Sequence, residues 1–170
     1  MIQPADRLAQ TKEYYFSKKL KEVKQLIDDG KPIINLDIGS QDISPPDSVV
    51  ETMIKATSHH KAHEYQHYAG IPSLREAIKS FYDKTYDVQL SADEQVLPLI
   101  GSKEGIMHIS MAFLNPGDEV LVPNPGYPTY AAVSGLVQAK ILHYDLKENH
   151  NWQPDIEQLS NLVTPKTKLM

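Results

Sequence analysis

The sequence contains no cysteine, which removes disulfide frameworks, thiolate zinc sites and cysteine nucleophiles from consideration. It also lacks a basic excess: 17 Lys and Arg stand against 22 Asp and Glu, a formal net charge of −5. A nucleic-acid or anionic-membrane surface needs the opposite sign. No apolar run approaches the ~18–20 residues of a membrane span, and the opening "MIQPADRLAQ" has no apolar leader core. The resulting expectations are no nucleic-acid partner, no membrane association and a cytoplasmic location. Neither G-x-x-x-x-G-K-[ST] nor G-x-G-x-x-G occurs, so nucleotide readings lose ground. No Ser/His/Asp arrangement or close acidic pair marks a hydrolase.

What is present is an ordinary globular balance, 41% hydrophobic and 23% charged over 170 residues, enough apolar surface for one core. "RLAQTKEYYFSKKLKEVKQLIDDGK" spaces Leu8, Tyr15, Leu20, Val23 and Leu26/Ile27 near helical intervals, and predicts a helix ending at about Asp29, stopped by Gly30 and Pro32. "PIINLDIG" is short, apolar and β-branched, and predicts a strand closed by Gly39. A helix is expected from near Asp47. "GIPSLREAIKSFYDKTY" predicts another, with Pro72 in its first turn and Leu74, Ala77, Ile78, Phe81 and Tyr82 on one stripe.

From residue 95 element types alternate: "QVLPLI" as strand, "SKEGIMHISMAFL" as helix, "EVLVP" as strand, "TYAAVSGLVQ" as helix, "AKILHYDL" as strand, "DIEQLSNLV" as helix and "TKLM" as the start of a strand. Such alternation implies βαβ units, an α/β fold with a mostly parallel sheet covered on both faces. The polar "LKENHNWQPD" reads as a loop. Because the chain stops at "KLM", just inside the last strand, the pattern predicts an α/β/α layer that is incomplete at its C-terminus, an N-terminal portion of a longer protein.

In "LIGSKEGI" the expected strand ends at Ile100 and a helix begins at about Ser102. The first amides of that helix, its positive dipole end, the permissive Gly101 and the Ser102 hydroxyl together suit a phosphate. The alternative is that Ser102 is a plain N-cap. "VPNPGYPTY" holds Tyr127 between Gly126 and Pro128 at the same sheet edge, where open α/β sheets bind ligands; its ring could stack on a flat ligand or serve as core or staple. His59, His60, His63 and His67 in "HHKAHEYQHYAG" suggest zinc at first sight. With no cysteine and Glu64 as the one nearby carboxylate, a solvated, pH-sensitive loop fits better and no metal is expected. Lys103 at a helix start is solvated, so its amine stays protonated; surface charge is the better reading than a Schiff-base role.

Taken together, "INLDIGSQDISPP", "YQHYAGIPSLREAI" and "LIGSKEGIMHISMAFLNPGDEVLVPNPGYPTY" resemble, in this order and spacing, the N-terminal part of class I/II aminotransferases, the fold-type-I enzymes that use pyridoxal 5'-phosphate. The likeness is to the branch containing aspartate, aromatic and LL-diaminopimelate aminotransferases. It implies a three-layer α/β/α fold, with residues 1–45 forming the N-terminal helix and start of the small domain and 46–170 the first part of the cofactor-binding large domain. It also implies transfer of an amino group between an amino acid and a 2-oxo acid.

Position by position, the resemblance assigns Gly101, Ser102 and Lys103 to the cup for the cofactor phosphate, mainly through backbone amides and the small hydroxyl. Tyr127 is matched to the aromatic that stacks on the pyridine ring, and Gly39 to the glycine whose amide meets the substrate α-carboxylate. Tyr65, with Tyr68 as the competing choice, is matched to the tyrosine that reaches the partner's cofactor phosphate in a homodimer. Ser40 stands where relatives commonly carry proline or asparagine. The Schiff-base lysine, the aspartate on the pyridine nitrogen, the asparagine on the ring oxygen and the arginine for the α-carboxylate have no counterpart here. No catalytic residue is therefore assigned, and residues 1–170 alone are expected to be inactive. A C–S lyase or another enzyme of the same fold type, and a non-catalytic ligand-binding module, are the alternatives.

Overall fold

The computed structural model describes residues 2–9, 13–36, 38–39 and 41–170. The chain divides into two compact units, one made of residues 14–98 and the other of residues 1–13 with 99–170.

The unit of residues 14–98 is helical. Helix α1 spans Tyr15–Asp28, α2 spans Asp47–Thr57 and α3 spans Pro72–Tyr86. Pro72 occupies the first turn of α3, where its missing N–H costs no hydrogen bond and its fixed φ suits the helix. Arg75 on α3 is buried; its guanidinium donates to the Ala92 carbonyl at 3.1 Å and to Asp93 Oδ1 at 2.8 Å, fastening the segment after the helix to the helix itself. Gly70 lies against Pro98, so close that a Cβ there would sit 2.8 Å from its ring.

Two strands expected from composition do not form. The described residues of 32–39 lie outside any strand, and Ile34, Leu36 and Ile38 are exposed. Residues 95–100 are likewise irregular, although Val96 is buried. A β-branched run becomes a strand only when a neighbour completes its ladder. Neither segment has such a neighbour among the described residues, and Pro98 adds a position that cannot donate. Asp37, and Ser40 at the position where relatives commonly carry proline or asparagine, lie outside the described residues.

The unit of residues 99–170 is the α/β layer. Helix α4 spans Ser102–Phe113, strand β1 Glu119–Asn124, helix α5 Pro128–Leu136, strand β2 Lys140–Asp145, helix α6 Ile156–Leu162 and strand β3 Thr167–Leu169. All pairings are parallel, in the order β2-β1-β3, with Glu119 opposite Lys140 on one side and Thr167 on the other. Strand β1 is central and its run "EVLV" is buried throughout, as expected of a parallel strand covered on both faces.

Alternation along β1 sends its side chains into two separate clusters. Val120 and Val122 join Leu114 and Ala139, with Ala131 of α5 packed against them. Leu121 joins Tyr144 and Leu159 of α6 on the opposite face. Burying each such aliphatic side chain contributes roughly 1.5–3 kcal/mol. Helices thus cover both faces, and the three-layer α/β/α arrangement holds. Asp155 caps α6 by accepting from the amides of Glu157 and Gln158, and residues 148–150 form a single 3-10 turn within the expected loop.

Candidate functional site

The irregular segment ending at Ile100 turns into α4 through Gly101, whose φ of 94° and ψ of 160° belong to a region that side chains disfavour. A Cβ built on Gly101 meets nothing within 4 Å. Its glycine therefore serves conformation, and the space in front of it stays open to a ligand. Gly101 is itself the N-cap, and no side chain caps the helix by hydrogen bonding. Ser102 stands one residue inside and is exposed, so the plain N-cap reading of this serine does not hold.

Glu104 does what sequence reading did not assign to it. Its carboxylate reaches back and accepts the Ile100 N–H at 2.5 Å, a variant of the reciprocal capping box in which the third helical residue secures the chain before the cap. The first-turn amides of any α-helix lack an i−4 carbonyl and concentrate the positive end of its dipole. Here Glu104 fixes the approach to that end while Gly101 leaves it uncovered.

Strand β1 runs out at Asn124, whose side-chain amide donates to Asp145 Oδ1 at 3.1 Å across the paired carboxyl end of β2. The chain then turns through a cis Asn124–Pro125 bond to Gly126, where a Cβ would collide with the Pro123 carbonyl. Only glycine lets the backbone fold this tightly over the strand end. Tyr127 follows as the N-cap of α5, with Pro128 in the first turn. Its ring is partly exposed and packs edge-on against Tyr130, centroids 5.7 Å apart at 76°.

The starts of α4 and α5 meet. Lys103 Nζ lies 5.6 Å from the Tyr127 ring centroid, and the neighbouring Lys103 ammonium, with a smaller share from Thr129, holds the Tyr127 hydroxyl below the ordinary tyrosine range. Gly101, Ser102, Lys103 and Tyr127 thus fall in one place, although the segment leading into Gly101 is not a strand. Lys103 is exposed, as expected of a surface charge, and its side chain stands over the ring of Tyr127. A helix start able to take a phosphate stands beside an aromatic ring able to take a flat ring, which is the donor set that a phosphorylated heteroaromatic cofactor requires.

Gly39 and Tyr65 belong to the other unit. Gly39 is exposed and in no regular structure. Tyr65 and Tyr68 both project fully into solvent, Tyr68 stacked on His67 at 4.5 Å. His59, His60, His63 and His67 occupy turns and loops after α2, with His63 Nε2 3.0 Å from the Thr57 carbonyl. Among the described residues no three His, Asp or Glu converge as metal ligands, and no helix is long and apolar enough to cross a membrane. A cavity of about 420 Å3 along β1, lined by Ile109, Ser110, Val122, Tyr130, Tyr144 and Met170 among others, is lined by none of the candidate residues.

Fold and site together define a class, and residues 31–170 match the family described as aminotransferase class I and II. The chain belongs to that family. It is 37% identical over 165 residues to the LL-diaminopimelate aminotransferase of Maridesulfovibrio salexigens, covering 97% of this chain and 42% of that protein. It is 35% identical to the enzyme of the same name from Aquifex aeolicus, covering all of this chain and 44% of the relative. Among solved structures, alanine aminotransferase from Pyrococcus furiosus superposes with a TM-score of 0.88 at 30% identity, over 97% of this chain and 42% of that one. Aspartate aminotransferase from Rhizobium meliloti gives 0.90 at 25%, over 98% and 41%. The chain therefore spans less than half the length of the relatives it matches.

Proposed function

We propose that this chain belongs to a pyridoxal-phosphate-dependent aminotransferase that moves an amino group between an amino acid and a 2-oxo acid, acting in the cytoplasm as a homodimer. One observation carries the reading: within a chain of this family, the uncapped start of α4 at Gly101–Ser102 and the ring of Tyr127 meet at one place. Residues 1–45 would form the N-terminal helix and start of the small domain, and 46–170 the first part of the large domain.

In this reading the first-turn amides of α4 and the Ser102 hydroxyl hold the phosphate, with the helix dipole favouring its charge. Tyr127 provides the face against which the pyridine ring stacks, and the tight turn at Gly126 sets where that face stands. The amide of Gly39 meets the substrate α-carboxylate. The solvent-exposed Tyr65 is available to reach a second protomer. When bound, the cofactor supplies an electron sink for the carbon that bears the amino group. The assigned residues bind and orient, and none is matched to the lysine that would form the Schiff base, so residues 1–170 are expected to be inactive alone.

The names of the relatives, LL-diaminopimelate, alanine and aspartate aminotransferase, set the donors to test. Full-length protein is titrated with pyridoxal phosphate, then given each donor with and without a 2-oxo acid, and the products are identified. A new amino acid formed only when the 2-oxo acid is present is the expected result. Breakdown of the donor without an acceptor points to a lyase, and failure to bind pyridoxal phosphate overturns the proposal.

A further inference from the structure

Asn124 and Asp145 are register partners on the last rung shared by β1 and β2, and the two strand ends are joined there twice. The Asn124 side-chain amide donates to Asp145 Oδ1 at 3.1 Å, and the Asn124 carbonyl accepts the Leu146 N–H at 2.8 Å. An ionised carboxylate only accepts, so the amide nitrogen of Asn124 is the atom that faces Asp145. Asp145 is held in turn from α6, its N–H donating to Gln158 Oε1 at 3.0 Å. Alternation puts Asn124 and Asp145 on the sheet face of Val120, Val122 and Ile141. That face is covered by α5 through Ala131, and α5 is the helix that Tyr127 begins.

Only Pro125 and Gly126 separate Asn124 from Tyr127. The Pro125 ring fixes its own φ, Gly126 is packed on the Pro123 carbonyl, and Pro128 restricts Tyr127 from the other side. Few free torsions remain between the last rung and the aromatic, so the orientation of Asn124 carries through to Tyr127.

We infer that Asn124 and Asp145 are positioning residues for Tyr127: their side-chain bond clasps the end of β1 to the end of β2 and so fixes the turn from which the ring stands. The inference rests on the aminotransferase reading for the identity of the ligand that meets the ring, but the clasp itself needs no ligand. The backbone bond to Leu146 alone would let the strand end pivot; the side-chain bond adds the second point that stops it. Neither residue belongs to the phosphate cup, so the clasp acts on the ring support and leaves the start of α4 alone.

The test uses full-length N124D, D145N and Y127A variants with the N124D/D145N and N124D/Y127A double variants. N124D sets two carboxylates against each other, D145N keeps an oxygen that can accept, and N124D/D145N exchanges donor and carboxylate across the rung. The first readout is hydrogen exchange without ligand at the Leu146 amide, which should speed up in N124D and return to the parent rate in N124D/D145N. The second is affinity for pyridoxal phosphate and, separately, for inorganic phosphate. N124D should weaken pyridoxal phosphate roughly two- to tenfold, because the ligand must then order a turn that one hydrogen bond ordered before. Inorganic phosphate should bind as in the parent, D145N should stay near the parent, and N124D/D145N should recover the lost affinity. In the Y127A background N124D should have little further effect.

Unchanged pyridoxal phosphate affinity in N124D would overturn the inference, as would failure of N124D/D145N to recover it. Equal weakening of both ligands would show a general loosening of the sheet edge and overturn it too, and so would additive effects of N124D and Y127A. If the parent protein binds no pyridoxal phosphate while the exchange pattern is present, the aminotransferase reading fails and the stacking role falls with it. The ligand-free exchange separates that failure from a failure of the clasp.

Discussion

Glu119 Oε1 accepts a hydrogen bond from Lys140 Nζ at 2.8 Å, joining the first residue of the central strand to the first residue of β2, its partner in register. The Glu119 side chain is almost wholly buried while that of Lys140 is exposed, so the carboxylate depends on its donors. Thr164 provides the second, its hydroxyl reaching Oε2 at 2.6 Å from the loop before β3. One acidic side chain thus gathers the segments that begin all three strands.

These donors, Lys140 foremost and Thr164 next, hold the Glu119 carboxyl below its ordinary value of 4.5. A group more acidic folded than unfolded stabilises the fold fully above its unfolded value, and loses that contribution as pH falls through the folded one. Urea midpoints measured from neutral pH down through the carboxylate range should therefore fall more steeply in the parent protein than in Glu119→Gln. The variant should be the less stable of the two at neutral pH. Parallel curves would show that Glu119 gains nothing from its partners.

Ser102 offers a separation of binding from folding. Its hydroxyl does not cap α4, so Ser102→Ala should change stability by less than ~0.5 kcal/mol, as for a surface substitution away from special features. The same change should weaken pyridoxal phosphate several-fold, by loss of one hydrogen bond to a charged group. A large drop in melting temperature with unchanged affinity would reverse the assignment. Glu104→Ala should do the opposite, costing about 1 kcal/mol through the released Ile100 amide.

Arg75 tests the other unit. It is buried on α3 and bonded to Ala92 and Asp93, but Asp93 is itself largely exposed. Water screens such a pair from one side, so Asp93→Asn should cost less than ~1 kcal/mol. Arg75→Ala removes a buried stem and the donor to the Ala92 carbonyl together, and should cost about 2–3 kcal/mol. Chemical denaturation of the two variants distinguishes them. Equal losses would mean that the ion pair, and not burial of the arginine, holds residues 92–93 in place.

Much of this arrangement was legible in the sequence, and the places where it was not share a cause. The helices follow from periodicity and Pro72, because their hydrogen bonds are local, although α1 begins at Tyr15 and Leu8, expected on its stripe, lies in a separate 3-10 turn, Asp6–Leu8. Strands β1, β2 and β3 follow from the alternation of elements. The runs at 32–39 and 95–100 carry the same β-branched signal as β1, yet β1 has partners on both sides and those segments have none among the described residues. Gly101 and Tyr127 stood out because a special backbone conformation and a Pro-bounded aromatic leave marks in sequence. The Lys103–Tyr127 contact left none, since it joins residues of two different helices. Glu104 did leave one, a carboxylate at the third helical position, with glycine in place of the usual serine or threonine cap concealing the motif.

Gly101 and Gly126 flank the candidate site and are glycine for different reasons, so alanine should affect them differently. At Gly101 the obstacle is conformation: φ is 94° and no atom stands within 4 Å of a Cβ. Gly101→Ala should cost ~1–3 kcal/mol of backbone strain, which the helix start can relieve by rotating away from its open geometry. The expected readout is a lowered melting temperature and loss of phosphate affinity together. At Gly126 the backbone is crowded, a Cβ running into the Pro123 carbonyl and within 2.9 Å of its ring. Relief there requires moving the Tyr127 turn off the end of β1. Gly126→Ala should therefore leave inorganic phosphate binding near that of the parent while weakening pyridoxal phosphate, because the ring support moves and the α4 helix start does not. If Gly126→Ala weakened both ligands equally, the turn and the helix start would be one mechanical unit.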